Sequence, residues 1–394
     1  MRPNPGGIIA AAEVLGRDVL VSRIWSSLSG QSVYLTSERR VGKTSVIRKM
    51  VAQPHADLLP YFVDIEALYS PQELVEKLAS HLLQAVSLKD RGKHLFWSAM
   101  AELGGAEIKD LRLPKVARSW KRLLGALVQD VLHRNGAKTL VIFLDEFPWF
   151  IDNVEKRLGG PAAMELLDEL RALRQEHSRL RFVLTGSIGL HHILDRLRTQ
   201  GYANQPLNDV NIIEVPPLQA TDATRLAREL LLGAGVQTEG AVAEEIARLT
   251  GGFPYYIHHL VSLAQESGVL KTGQAASLLA QLFRDPHDRA NFRHFRKRIT
   301  EYYGTAQSPH VIAILDHAAS RPAARSRDLL NAARYVSADF PEATFLNLLE
   351  RLQQDHYLAR QEDGRWDFRY SVVKQWWLFD RELDVHASTE EPKP

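Results

Sequence analysis

Cysteine is absent from all 394 residues, which excludes disulfides and thiolate metal centres and is compatible with a reducing interior. An excess of one charge is lacking too: 49 Lys and Arg oppose 47 Asp and Glu, for a formal net charge of +2. With a pI near 8.6, the chain as a whole exerts little pull on a polyanion, so any nucleic-acid contact must come from a local patch. No apolar run approaches the length of a membrane span, and MRPNPGGIIAAAEVLG does not have the shape of a secretory signal. A cytoplasmic protein without membrane contact is the expectation. Internal repeats and low-complexity tracts are missing as well, and only the stretch from Ala387 to Pro394 reads as a loose tail.

What is present is the composition of a folded protein, 45% hydrophobic and 24% charged, in a chain too long for one core. Between residues 31 and 218, short β-rich runs alternate with helix-period segments, the pattern of an α/β fold with a mainly parallel sheet. Strands are expected at Ser32 to Thr36, Tyr61 to Ile65, Thr139 to Leu144, Leu180 to Thr185 and Asn211 to Val215. Ser70-Pro71-Gln72-Glu73 starts a helix with a cap residue, proline at the first helical position and acid in the first turn. Further helices are expected from about Trp120 to His133 and from about Pro161 to His177, while Lys89 to Pro114 reads as an insertion. From Thr221 to about Phe283 the pattern is wholly helical, broken by Gly251-Gly252-Phe253-Pro254. Three helices (Pro309 to Ser320, Arg325 to Ala333, Pro341 to Gln354) then precede Tyr357 to Gln361, the turn Asp363-Gly364 and Trp366 to Tyr370. Helix, helix, helix, hairpin is the order of a winged helix.

The run Ser37-Glu38-Arg39-Arg40-Val41-Gly42-Lys43-Thr44-Ser45 follows the strand-like Val33, Tyr34 and Leu35 and opens a helix-like stretch. Backbone amides at such a helix start, carrying the positive end of its dipole, wrap phosphates. Lys43 then reaches the terminal phosphates and the Thr44 hydroxyl coordinates magnesium. Arg39, Arg40, Val41, Gly42, Lys43, Thr44 and Ser45 are therefore the expected nucleotide contacts. Ser37 stands where the pattern has its first glycine, and it must tolerate the loop's opening turn.

Leu140-Val141-Ile142-Phe143-Leu144 ends in Asp145-Glu146, which puts two carboxylates at the C-terminal edge of a buried strand, where ligands bind in such sheets. Asp145 would hold magnesium, through water or through Thr44, and Glu146 would orient or deprotonate the attacking water. The next strand ends in Thr185-Gly186-Ser187. Ser187 could hydrogen-bond the terminal phosphate or the water, or cap the helix starting near Ile188.

On these residues the sequence resembles the AAA+-like P-loop ATPases of the STAND class, particularly the archaeal-type ATPase group. The resemblance spans about residues 10 to 385 and rests on Val14-Leu15-Gly16-Arg17-Asp18, the Arg-Arg-x-Gly-Lys-Thr loop, the Leu-Asp-Glu strand end and Gly252-Phe253-Pro254. It implies that Leu15, Gly16 and Arg17 lie beside the base and ribose and that Pro254 closes over the nucleotide. It further implies ATP or ADP with Mg2+ as ligands and a P-loop ATPase domain over 1–218, with its core sheet from residue 30. A helical lid over 219–304, a winged helix over 305–385 and a flexible tail over 386–394 complete the expected organisation. Such families often place an arginine near a Pro-Leu-x-Gly-Arg pattern, whereas this chain has Pro206-Leu207-Asn208-Asp209-Val210. Arg196 and Arg198 are nearby candidates, and slow hydrolysis or activation by a second subunit's arginine is the alternative.

Because these parts use up the chain, a switch acting on a protein partner in trans is expected, and a homo-oligomer is compatible with it. The alternative is an ATP-gated DNA-binding protein of the initiator or transposition-helper type, and a third reading is a nucleotide-held scaffold without turnover. Arg289, Arg293, Arg296 and Lys297 fall at helical spacing in an expected basic amphipathic helix, Arg289 to Tyr303, which either contacts DNA or a partner or is a solvated face. In the winged-helix segment Glu342, Glu350 and Asp355 oppose phosphate contact by its third helix, and Arg360, Arg365 and Arg369 on the hairpin are better placed. The pairs His191-His192 and His258-His259 are expected as surface or core histidines whose rings point apart, and Trp149, Trp376 and Trp377 as packing residues.

Overall fold

The five β-rich runs become five strands of one sheet in the computed structural model, which describes residues 1–84, 95–102, 119–186 and 189–384. Residues 9–215 form one compact unit, and residues 1–8 with 216–394 form a second. In the first, α1 (Asp18–Leu28) precedes β1 (Ser32–Thr36), α2 (Lys43–Ala52) and β2 (Leu58–Asp64). Then come α3 (Pro71–Gln84), α4 (Leu95–Glu102), α5 (Ser119–Arg134) and β3 (Thr139–Asp145). The unit closes with α6 (Phe147–Leu158), α7 (Gly160–Glu176), β4 (Leu180–Thr185), α8 (Leu190–Thr199) and β5 (Val210–Glu214). The sheet is parallel throughout, in the order β2-β3-β4-β1-β5. This is the P-loop NTPase fold. Of the stretch read as an insertion, α4 is a packed helix with Phe96, Ala99 and Met100 buried, and the rest lies outside the described residues.

Strand β3 is a continuous apolar run because both its faces are covered: Leu140 to Leu144 are all buried. Its register with β2 runs from Leu58↔Thr139 to Asp64↔Asp145, which explains why β2 starts before the expected Tyr61. Two helices of this unit, α1 and α6, escape the sequence pattern. α6 opens with Phe-Pro directly after an acid pair, and the helix expected near Ile188 is α8, which begins at Leu190.

The second unit contains α9 (Ala220–Ala234), β6 (Gln237–Glu239), α10 (Val242–Leu249), α11 (Pro254–Ser267), β7 (Val269–Lys271) and α12 (Ala275–Arg284). The expectation of a wholly helical stretch is corrected here, since β6 and β7 pair in parallel over three residues each, too short to leave a period in the sequence. α13 (His294–Ala319) is interrupted at Gly304, whose φ of 66° and ψ of 175° are non-helical. α14 (Ser326–Val336), α15 (Glu342–Gln354), β8 (Leu358–Arg360), β9 (Trp366–Phe368) and α16 (Ser371–Asp380) follow. β8 and β9 are antiparallel, and a bridge from Ala324 to Trp366 extends them. α16 buries Val372, Val373, Trp376 and Trp377 against an aromatic cluster that includes Phe292 and Phe295. Among the described residues no helix is long and apolar enough to cross a membrane.

Candidate nucleotide and catalytic site

The loop between β1 and α2 owes its shape to left-handed backbone at two positions, Arg40 (φ 70°) and Gly42 (φ 94°). Ser37 is not among the residues with positive φ, so the departure from glycine adds no left-handed strain there; Arg40 bears it instead. Two cations from outside the loop fix its surroundings. Arg17, buried, donates from Nη2 to Val41 O at 2.8 Å. Lys49 donates to Val14 O at 2.9 Å and to Asp18 Oδ1 at 2.7 Å. The Val14 to Asp18 segment and the phosphate loop are thus one hydrogen-bonded assembly, with Leu15 half-buried and Gly16 exposed at φ 64°.

Inside the loop the Lys43 ammonium donates to Ser37 O (3.2 Å), Ser37 Oγ (3.0 Å) and Glu38 O (3.2 Å). The Glu38 carboxylate, also buried, accepts from Arg39 N at 2.7 Å. Burial pushes the Lys43 ammonium below its ordinary range, while Glu146, Glu38 and Asp145 pull it back up and Arg39 adds to the fall. The half-buried Arg39 has its Nε buried with no hydrogen-bond partner among the described residues. Ser45 is half-buried one position beyond the exposed Thr44.

β4 lies between β1 and β3 in the sheet, so the ends of all three strands meet. Asp145, at the end of β3, accepts the Thr44 hydroxyl on Oδ2 at 2.9 Å and the fully buried Thr185 hydroxyl on Oδ1. Thr44 commits its proton to a carboxylate and keeps its oxygen lone pairs, and Asp145 adds hard carboxylate oxygens. That donor set fits a magnesium ion held by Thr44 and, directly or through water, by Asp145. Glu146 sits one residue beyond the strand, half-buried and in left-handed conformation (φ 59°), where it begins α6 without a side-chain cap. The backbone behind it is fixed by close packing, since a Cβ on Gly186 would stand 2.2 Å from Pro148 Cδ. Glu66, beyond the end of β2, is a neighbour. Its carboxyl is raised by burial and by the charges of Glu146 and Asp64, with Arg39 acting against them.

The structure therefore brings together Arg17, Arg39, Lys43, Thr44, Asp145 and Glu146. Ser187 lies outside the described residues, and the polar side chain that β4 does bring to Asp145 is Thr185. Its signal was the polar end of an apolar run. Pro254 begins α11 in the second unit, after Gly252 (φ 74°), where a Cβ would stand 2.2 Å from Leu218 O.

The arginine candidates are engaged locally. Arg196 pairs with Asp152 at 2.6 Å and with Glu155, and Arg198 with Asp195 at 2.8 Å. Asp209, in the segment where an arginine was sought, makes a two-pronged pair with Arg174 (2.9 and 2.8 Å). Burial raises its carboxyl, but Arg174 more than offsets this and holds it below the ordinary range.

The basic amphipathic helix from Arg289 is corrected: the helix starts at His294. Asp285 and Asp288 capture the backbone N–H groups of His287, Arg289, Phe292 and Arg293, and Asp288 and Asn291 adopt positive φ. Arg289 pairs with Asp285, Arg296 with Asp380, and the buried Arg298 donates to Tyr357 Oη and Asp355 O. The His191 and His192 rings lie 4.2 Å apart instead of diverging, in the first turn of α8 where no preceding turn constrains them. His258 is buried and accepts Asn4 N at Nδ1 (3.0 Å), with its imidazole pushed down to about 4 by burial.

Residues 28–194 match the family model for an AAA domain. This part of the chain is similar to AAA domains. Among solved structures, the Walker-type ATPase paby2304 of Pyrococcus abyssi is 18% identical, with a TM-score of 0.66 and coverage of 96% of this chain and 99% of that one. The ORC2 protein of Aeropyrum pernix, in its ADPNP–ADP complexes, is 14% identical, with a TM-score of 0.54 over 96% of this chain and 98% of that one. At such identities the likeness concerns fold alone. A search of curated proteins returns no significant match.

Proposed function

We propose that the chain is an ATP-binding and ATP-hydrolysing switch of the STAND type, with a C-terminal winged helix, that works in the cytoplasm and regulates a protein partner in trans through nucleotide-dependent rearrangement of its domains. The observation that carries this is the Thr44–Asp145–Thr185 hydrogen-bond chain beside Lys43 and Glu146. Hard oxygen donors, an ammonium suited to phosphate and the Glu146 carboxylate are what a magnesium nucleotide would need there. Magnesium, when bound, would supply charge neutralisation for the β- and γ-phosphates. Loop amides and Lys43 bind the phosphates, Arg17 keeps Val41 and hence the loop in place, and a Glu146 carboxylate oxygen orients the water and takes its proton.

Turnover is proposed to be slow until another molecule supplies positive charge, because Arg196 and Arg198 are held by acids of their own unit. A second copy of the chain or the partner would provide it. The test is calorimetry and turnover on the purified chain. Mg-ATP should bind, Lys43→Ala should lose binding, and Glu146→Gln should bind ATP but lose turnover. A fast rate independent of protein concentration would remove the activation by another molecule, and no heat with Mg-ATP would remove the whole proposal.

DNA binding is the second reading, supported by exposed Arg325, Arg327 and Arg360 around the β8–β9 hairpin. It ranks lower because the cations expected to carry it at Arg289, Arg296 and Arg298 are engaged within the chain and Arg365 is paired with Asp363. Salt-dependent DNA affinity that changes with nucleotide would raise it.

A further inference from the structure

Lys43 has three N–H donors, and oxygens of its own loop accept at three places: two carbonyls and one hydroxyl. The carbonyls belong to the main chain and would be present whatever residue stood at 37. The hydroxyl belongs to serine alone and is there because this loop lacks its first glycine. At 3.0 Å it makes the shortest of the three contacts. It is also oriented by its own donation to Glu38 O at 3.1 Å, which turns a lone pair toward the ammonium. Ser37 and Lys43 are both buried, so the hydrogen bond is shielded from solvent.

We propose that Ser37 is a positioning residue that restrains Lys43: its hydroxyl competes with the terminal phosphates for an ammonium N–H and so weakens nucleotide binding. The inference rests on the nucleotide-binding reading and specifies what sets its affinity. A phosphate that engages Lys43 must take at least one N–H from the loop, and the hydroxyl is the acceptor that a side-chain change can remove. Backbone strain is not a competing explanation, because Ser37 does not have positive φ.

The test is calorimetric titration of wild type, Ser37→Ala, Ser37→Gly and Ser37→Thr with Mg-ATP, Mg-ADP and AMP, with Lys43→Ala as the control. Ser37→Ala keeps the Cβ and loses the hydroxyl, and should bind ATP and ADP about threefold to tenfold more tightly, the range for one ordinary net hydrogen bond. AMP should not change, since Lys43 reaches only the β- and γ-phosphates. Ser37→Thr retains a hydroxyl and should bind like wild type. Should Ser37→Ala fold poorly, Ser37→Gly supplies the same measurement. Unchanged or weaker ATP binding in the hydroxyl-free variants, or a gain shared equally by AMP, overturns the inference. Wild type that binds ATP and loses it in Lys43→Ala leaves the functional reading standing in that event, whereas wild type that binds none overturns both.

Discussion

Replacing Thr185 by Val tests whether Asp145 is held by side chains of two neighbouring strand ends. The substitution exchanges a hydroxyl for a methyl of nearly the same size at a fully buried position, so neither a cavity nor a clash is created. What is lost is the hydrogen bond to Asp145 Oδ1. A hydrogen bond to a charged partner contributes about 1.5–3 kcal/mol, and Asp145, itself buried, would have little water to compensate. Thr44 still serves Oδ2 at 2.9 Å, so the expected destabilisation of the 9–215 unit is about 2 kcal/mol, or about 4–8 °C in melting temperature. Because the chain has two units, a global melt would blend them, and the proper readout is amide hydrogen exchange in β3 and β4. Repeating the exchange in an Asp145→Ala background completes a double-mutant cycle. There the Thr185→Val effect should fall below about 0.5 kcal/mol, in line with ordinary additivity error. An equal loss in both backgrounds would mean that Thr185 acts through packing and that Asp145 is positioned by Thr44 alone.

Gly186→Ala should destabilise the same unit by about 1–3 kcal/mol, since its Cβ would meet Pro148 at 2.2 Å and the proline ring cannot swing aside; chemical denaturation followed by exchange in β4 measures it. Mg-ATP affinity should fall as pH rises at values below 10.5, because Lys43 is lowered mainly by burial and loses its charge early; affinity that stays level up to 10.5 would contradict this. His258, pushed down to about 4 by burial, stays neutral in the folded chain while the unfolded imidazole gains a proton below its ordinary 6.5. The second unit is therefore fully stabilised above that value and loses up to about 3 kcal/mol between pH 6.5 and 4. Urea midpoints of wild type and His258→Phe across that window check the sign, and the slope should be shallower in the variant, where His317, also lowered by burial, still contributes.

The strands were legible because three of the five are largely buried runs bounded by turn residues, and the phosphate loop because its chemistry demands fixed residue types at fixed spacing. Thr185 was legible only as part of a polar strand end, and its place beside Asp145 needed the β3–β4 pairing Leu144↔Leu184. The left-handed Glu146 has no composition signal, since nothing in Asp-Glu-Phe-Pro distinguishes a strained helix start from a relaxed one. The false basic helix had the right spacing but ignored Asp285 and Asp288, two acids able to capture backbone N–H groups and halt a helix before it begins. Arg298, outside the set Arg289, Arg293, Arg296 and Lys297 read as the cationic face, is buried against Tyr357 and Phe295. Helical spacing identifies a face but does not say what covers it.

The backbone at Glu146 also bears on whether the site hydrolyses its ligand or only holds it. Gripping a magnesium nucleotide requires the loop and Thr44 after β1 and Asp145 at the end of β3, and none of these needs the left-handed turn that follows. Glu146 is extra: a non-glycine residue in left-handed conformation costs about 1–2 kcal/mol, and no side-chain cap on α6 offsets it. Pro148 leaves no room for a Cβ at Gly186 beside that helix start. A scaffold would gain stability by relaxing the turn, whereas a hydrolase needs a carboxylate carried past the strand end and held there. Glu146→Gly should consequently leave the unit as stable or more so while eliminating turnover, a combination a purely structural acid would not produce, and parallel measurement of urea stability and phosphate release decides between them.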